Sequence, residues 1–456
     1  MSNLHDMNGE QIQAASQETV RLLDHAVTGY ARARRDTRDR VVAVLASDPT
    51  CVMAHCLDGY LHMLSSKRDG VARAREAFSL AQTVGATRRR GLARREQLHV
   101  GALDAWSRGD MRGAAGVWDT LLDEFPRDLV ALKVSQFVLS YLGESNGMRE
   151  RVARVLPSWS PNEPGYGFVL GCHAYALEES GDYRQAEETG RRAVDLDRGD
   201  IWAAHAVAHV AEMEGRLEDG IAWIADLADE WHECSNFALH LKWHEGLYHL
   251  ELEQHDRVLA LYDREVRAES TDEYLDMANA VSLLWRLEQA DVSVGARWTE
   301  LAARAASHVD DHALVFVDLH YLMALAAAGN GTVVEEFLTS CERFAASGQG
   351  TEAEVMADVG LPLARAVVAH RRGAYAEAVD ELMPVRRRVR RIGASHAQRD
   401  VFDQLLIDAA VRGRRFAEAR ELLAERLAWR PSNRWGLKHQ RIVQQGSQNT
   451  TAKTSH

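Results

Sequence analysis

Proline is scarce in this chain, with 8 residues in 456. So few breakers, in a sequence rich in alanine, leucine, arginine and glutamate, favour helix, because those residues lose little side-chain entropy on entering one. Cysteine is sparse too. Cys51, Cys56, Cys172, Cys234 and Cys341 are odd in number and scattered, which argues against a disulfide framework and suits reduced thiols in the cytoplasm. No apolar run approaches the ~20 residues that span a bilayer, so no membrane partner is expected. Residues 1–13 lack the basic and apolar regions of a secretory signal. Positive charge is in deficit: 54 Lys+Arg against 67 Asp+Glu leave −13, a poor balance for neutralising phosphates, so no nucleic acid is expected. What is present is an ordinary globular composition, 46% hydrophobic and 27% charged, with 20 histidines as the one oddity.

A repeat runs through the helices. Gly109-Asp110-Met111 is followed by Ala114, Trp118 and Pro126: a turn glycine, a large apolar residue at +2, a small one at +5, a proline at +17. The grammar recurs at Gly181-Asp182-Tyr183 with Ala186, at Gly215-Arg216-Leu217 with Gly220, at Gly373-Ala374-Tyr375 with Ala378, and at Phe416 with Ala419 and Pro431. Glycine permits the tight turn, the small residue lets helices approach, and proline stops the second helix. This spacing, with a 34-residue period between Gly181 and Gly215, resembles the tetratricopeptide repeat, a helix hairpin that stacks into a solenoid. The expected fold is therefore all-α: about eleven hairpins winding into a right-handed superhelix. They fall near 10–48, 50–85, 88–126, 128–155, 166–198, 200–232, 236–268, 272–308, 311–347, 351–391 and 396–430. Residues 1–431 form one solenoid, with a proline-rich loop at 156–165. Residues 432–456 form a C-terminal extension, expected to be disordered from about 443 on its polar composition.

Counting each turn glycine as position 15 puts positions 5, 9 and 12 on one helical face, because +4 and +7 return to within about 40° and 20° of the start. Position 5 is His99, His205 and His244 in the third, sixth and seventh hairpins. Position 9 is Tyr175, His209 and Tyr248, and position 12 is Glu178, Glu212 and Glu251, in the fifth to seventh. His240 and Asn236 lie one and two turns before His244. Histidine, tyrosine and glutamate on one wall suit a ligand, a metal ion or acid–base chemistry; the plainer alternative is a polar groove of hydrogen-bonded histidines. No metal ligands are assigned outright. If an ion is present, His205, His209, Glu212 and His244 are the set, because imidazoles at i, i+4 can share one ion and a carboxylate adds charge.

Other signatures fail on context. In His244-Glu245-Gly246-Leu247-Tyr248-His249 the second histidine comes one residue late for a zincin motif and turns about 140° away. Gly143-Glu144-Ser145-Asn146-Gly147 spells a nucleophile elbow but sits between helices rather than after a strand. Gly329-Asn330-Gly331 lacks the third glycine of a dinucleotide loop. The arginine runs at 88–95 and 386–391 suit solvated helix faces, with anion capture or homo-oligomer formation as the other readings.

The strings Asp200-Ile201-Trp202-Ala203-Ala204-His205-Ala206-Val207-Ala208-His209-Val210, Trp243-His244, Leu261-Tyr262-Asp263, Trp285-Arg286-Leu287-Glu288, Asp318-Leu319-His320, Val359-Gly360-Leu361-Pro362-Leu363 and Gly393-Ala394-Ser395-His396-Ala397-Gln398-Arg399-Asp400 resemble the tetratricopeptide repeat protein 38 family, from about Asp48 to Pro431. That resemblance implies a cytoplasmic solenoid and brings no reaction with it. It places His205, His209, Asn236, His244, Asp263, Asp318, His320, Gln398, Arg399 and Asp400 in the family pattern. Repeats of this kind usually hold extended peptides with lysine and asparagine clamps, whereas this chain carries histidine at position 5. The leading expectation is a solenoid binding a small molecule or peptide in its concave lumen. The ligand would meet His209, Glu212, Asn236, His240, Trp243, Tyr175, Tyr248, Asp263, His320 and Arg399. The alternative is a hydrolase or acid–base lyase, metal-assisted or not, with His205 or His244 as base, Asp318 or Asp263 orienting it, and Arg399 holding an anionic substrate.

Overall fold

The computed structural model describes residues 4–89 and 91–454, with side chains to 448; Arg90 of the first arginine run and the last two tail residues lie outside the described residues. Helix dominates, and the helices pair as hairpins that pack against the next in chain order, a tetratricopeptide-type α-solenoid. The hairpins carrying the site are Tyr166–Glu179 with Tyr183–Leu196, Ile201–Glu214 with Leu217–Leu227, and Phe237–Glu251 with His255–Leu261. The chain departs from pure helix at its start, where Leu4–His5 pairs antiparallel with Gln11–Ile12.

Two further departures have local causes. The stretch after Val155 makes a 3₁₀ turn at Leu156–Ser158. Buried Trp159 then ties back by donating its indole N–H to the Pro126 carbonyl at 3.0 Å. Pro362 lies inside a helical rod running from Thr351 to Arg371, and the π-helical turn Met356–Gly360 directly ahead of it absorbs the missing N–H.

The expectation of disorder from about 443 is not met. The chain continues as the helix Arg434–Thr454, with Val443 fully buried and the Phe416 ring lying against Gly446. Composition missed it because a few apolar anchors on one face suffice when a neighbouring helix covers them.

The stack turns back on itself, so hairpins far apart in sequence touch. The Thr351 amide donates to the Gly109 carbonyl at 2.9 Å, and Thr351 Oγ1 accepts from Met111 at 3.1 Å. Gly143 (φ +69°) lies against the Arg390 carbonyl, and Gly393 (φ +82°) against the Tyr141 backbone, approaches that any side chain would block. Glu179 accepts from the His396 amide at 2.9 Å, Glu212 from Arg430 at 2.8 Å, and Glu251 from Asn433 Nδ2 at 2.7 Å. Two of the position-12 glutamates, Glu212 and Glu251, together with Glu179, thus fasten the end of the chain into its own concave side.

Candidate metal centre

Asp200 starts the helix Ile201–Glu214 by accepting from the Ala203 amide at 3.1 Å, and Gly215 ends it with φ 71°. Ala203, Ala204, Ala206 and Ala208 keep this helix thin, so the Phe237–Glu251 helix packs closely. Tyr248 fixes the approach by donating to the Ala208 carbonyl at 2.6 Å. The i, i+4 spacing then aims His205 and His209 from one helix at His240 and His244 from the other.

One ring nitrogen from each of these four histidines lies within 4.8 Å of the others, and the rings are 0–2% exposed. His205 Nε2 sits 2.9 Å from His209 Nε2 and 3.1 Å from His240 Nε2. Three of the four outward nitrogens face acceptors. His240 Nδ1 is 2.9 Å from Asn279 Oδ1, and His244 Nδ1 is 3.1 Å from Glu212 Oε2. His209 Nδ1 is 3.3 Å from Glu178 Oε2, an ion-pair distance without hydrogen-bond alignment. His244 Nε2 is buried with no partner, as is His205 Nδ1. No proton assignment satisfies this set, since the single His205 Nε2 must serve two neighbours and His244 Nε2 has none.

Burial, reinforced by neighbouring imidazoles, holds His205 and His244 well below the usual histidine range, and burial pushes His240 down to about 3. Burial also works against charge on His209, but Glu178 outweighs it and holds that ring above the usual range. The result is three neutral imidazoles, a fourth beside a carboxylate, and one buried ring nitrogen from each gathered around one point. Outward N–H groups on carboxylate or amide oxygens are the second shell that orients metal-bound histidine. Tetrahedral coordination at about 2.0–2.1 Å sets nitrogens about 3.3 Å apart, a few tenths of an ångström beyond the two shortest contacts here.

Around the cluster, Trp243 stacks on His240 with centroids 5.0 Å apart and donates to Ser282 Oγ at 3.0 Å, while Tyr175 stacks on His205 at 5.6 Å. Asn236 stands at the start of the same helix as His240. The other expected site residues lie elsewhere. Asp318 pairs with His312 at 3.0 Å, so it does not orient His205 or His244. Asp263 forms a half-exposed pair with Arg297, also away from the cluster. His320 Nδ1 donates to the Phe316 carbonyl at 2.8 Å between Phe316 and Phe402, and Arg399 binds the Gly393 carbonyl at 3.2 Å beside Glu179. Tyr248 packs into the core against Gly220. His99 serves another buried network, with Asp128 at 2.9 Å. Asn279 and Arg430 complete the surroundings of the centre. Arg430 carries no repeat-register signal, because it reaches Glu212 only through the closure of the stack.

Beyond Glu212 opens a cleft of about 180 Å³ lined by Glu251, Arg286, Asp400, Arg426, Arg430 and Asn433. No helix among the described residues is long and apolar enough to cross a membrane.

No family model matches this chain. Among solved structures it is similar to the Naa15/Naa10 complex bound to HypK-THB, at 13% identity over 95% of this chain and 67% of that one, with a TM-score of 0.25. It is also similar to a monomeric IFIT1 mutant with Gppp-AAAA, at 13% identity over 86% of this chain and 90% of that one, with a TM-score of 0.35. Neither likeness says what this chain binds.

Proposed function

We propose that the protein is a metal-binding solenoid whose interior ligand is one divalent transition-metal ion, held by His205, His209, His240 and His244. The observation that carries this reading is the unpartnered, buried Nε2 of His244 facing a nitrogen cluster that no arrangement of protons can satisfy. Four imidazoles suit zinc, copper, iron or nickel, and Glu178 and Glu212 supply negative charge behind the ligands. Relative to the sequence expectation, His240 takes the place of Glu212, which moves back to support His244. Membership of the tetratricopeptide repeat protein 38 family, and a cytoplasmic setting with it, belongs to the same reading and rests on the motif strings at 200–210, 285–288 and 393–400.

A closed, four-histidine shell fits a structural or electron-transferring ion better than hydrolysis, which needs an open coordination position. The hydrolase or lyase alternative retains one supporting observation: His209 and Glu178 form a buried acid–base pair of the kind catalysis uses.

The test is metal analysis of protein purified without a metal-affinity step, followed by titration of the chelator-stripped chain with Zn²⁺ and Co²⁺. About one ion per chain is expected, with tetrahedral Co²⁺ absorption. His240→Ala/His244→Ala should abolish binding, and Glu212→Gln should weaken it about 10–100-fold. A stripped chain that takes up neither ion saturably would refute the reading.

A further inference from the structure

A second interior site lies one ring away from the histidines. Lys133, on the helix Leu129–Tyr141, is only 4% exposed, yet no acceptor or carboxylate among the described residues pairs with its ammonium. Its nearest partners are faces of rings, Trp202 at 4.9 Å and Phe137 at 6.0 Å. Other buried cations of the chain have oxygens: Arg95 has Asp128 and Asp6, Arg151 has Asp119, and Arg286 has the Ala397 and Ser282 carbonyls. Asp200 feels the Lys133 charge but spends one oxygen capping its own helix, and the other is unpartnered. An ammonium with no protein partner that opens only onto a cavity is costly to desolvate unless something in that cavity pairs with it.

Lys133 faces a cavity of about 260 Å³ whose walls include Tyr30, Phe137, Trp202, Phe237 and Tyr274. The indole N–H of Trp202 and the hydroxyl of Tyr30 are buried without acceptors. The charged lining is Lys133, Arg34, which pairs with Glu233, and Arg35 and Arg38, which bind backbone carbonyls, against one carboxylate, Glu273, which already pairs with Lys67. In a chain of net charge −13, a cavity with this lining selects against cations. Its aromatic walls equally disfavour a small hydrated anion such as free phosphate, which offers them nothing to bury.

We infer that this cavity binds a small organic carboxylate, its charged end on the Lys133 ammonium and its apolar body against the aromatic wall. Charge-assisted hydrogen bonding would hold the carboxylate, and burial against Trp202, Phe137 and Phe237 would supply most of the affinity. Trp202 and Phe237 also touch His205, with ring centroids 5.5 and 5.0 Å away, so the ligand would lie beside the histidine cluster. The inference does not depend on metal being bound there.

Calorimetric and tryptophan-fluorescence titrations of the full chain with 2-naphthoate and its neutral counterpart 2-naphthalenemethanol test this directly. Saturable 1:1 binding of 2-naphthoate is expected, about tenfold or more tighter than the alcohol. Lys133→Met should bring the two probes level, and Lys133→Arg should keep the preference. Equal affinity for the two probes in the wild-type chain, no saturable naphthoate binding, or an undiminished preference in a folded Lys133→Met chain would overturn it. The wild-type comparison stands by itself if the methionine variant fails to fold.

Discussion

His320 keeps an imidazole neutral in the core at a measurable cost. It is 1% exposed, its Nε2 has no partner, and burial lowers its pKa to about 4, with Arg286 adding to the effect. An unfolded histidine titrates near 6.5, so between about pH 6.5 and 4 the unfolded chain binds the extra proton and stability falls as the pH falls. Stability is undiminished above that window, and the loss amounts to about 3 kcal/mol once pH reaches the folded value. His320→Leu should therefore differ little from wild type at pH 7 and be the more stable protein at pH 4.5, measured as urea midpoints across a pH series. A stability–pH curve of unchanged slope would show that His320 is not buried neutral. Three residues of the proposed metal site were legible at this scale, because position counting alone placed His205, His209 and His244 on facing stripes. Lys133 was not, since its meaning depends on the absence of a partner, and a sequence shows only which residues exist.

At the scale of the helix hairpin, turn glycines carry two separate burdens. Gly373 has φ +77° in open space, so Gly373→Ala should cost only the left-handed strain of about 1–2 kcal/mol. Gly143 has similar backbone strain, but an added Cβ would also run into the Arg390 carbonyl of a distant hairpin. Gly143→Ala should therefore lower stability by clearly more than Gly373→Ala, and chemical denaturation of the two variants measures the difference. Equal losses would mean that the contact between distant hairpins is slack. The repeat grammar identified Gly373 as a turn, and Gly143 was legible as part of a link between helices, because a turn is a local signal. It could not tell them apart, because what Gly143 touches lies more than two hundred residues further along the chain.

For the whole molecule, repeat arrays with contacts only between neighbours unfold piecemeal, since each interface contributes separately. Here Glu179, Glu212 and Glu251 bind the last hairpins, and Thr351 binds the turn at Gly109, so loosening one end removes contacts from the middle. Denaturation followed by helix signal and by tryptophan fluorescence should give coincident transitions, whereas two resolved steps would show that the long-range ties contribute little. Two of the three position-12 glutamates that looked like groove-lining ligands from register alone, Glu212 and Glu251, are fastenings, while Glu178 stands against His209. Register specifies which face a residue occupies and is silent on whether solvent or another part of the chain lies opposite.

Those fastenings also bear on mechanics. An open solenoid stretches like a spring, because its coils slide apart without breaking anything between them. A coil buckled to itself has no such elastic range: tension on its ends loads the ties from Glu179, Glu212 and Glu251 before any hairpin opens, and the array yields by rupture rather than by extension.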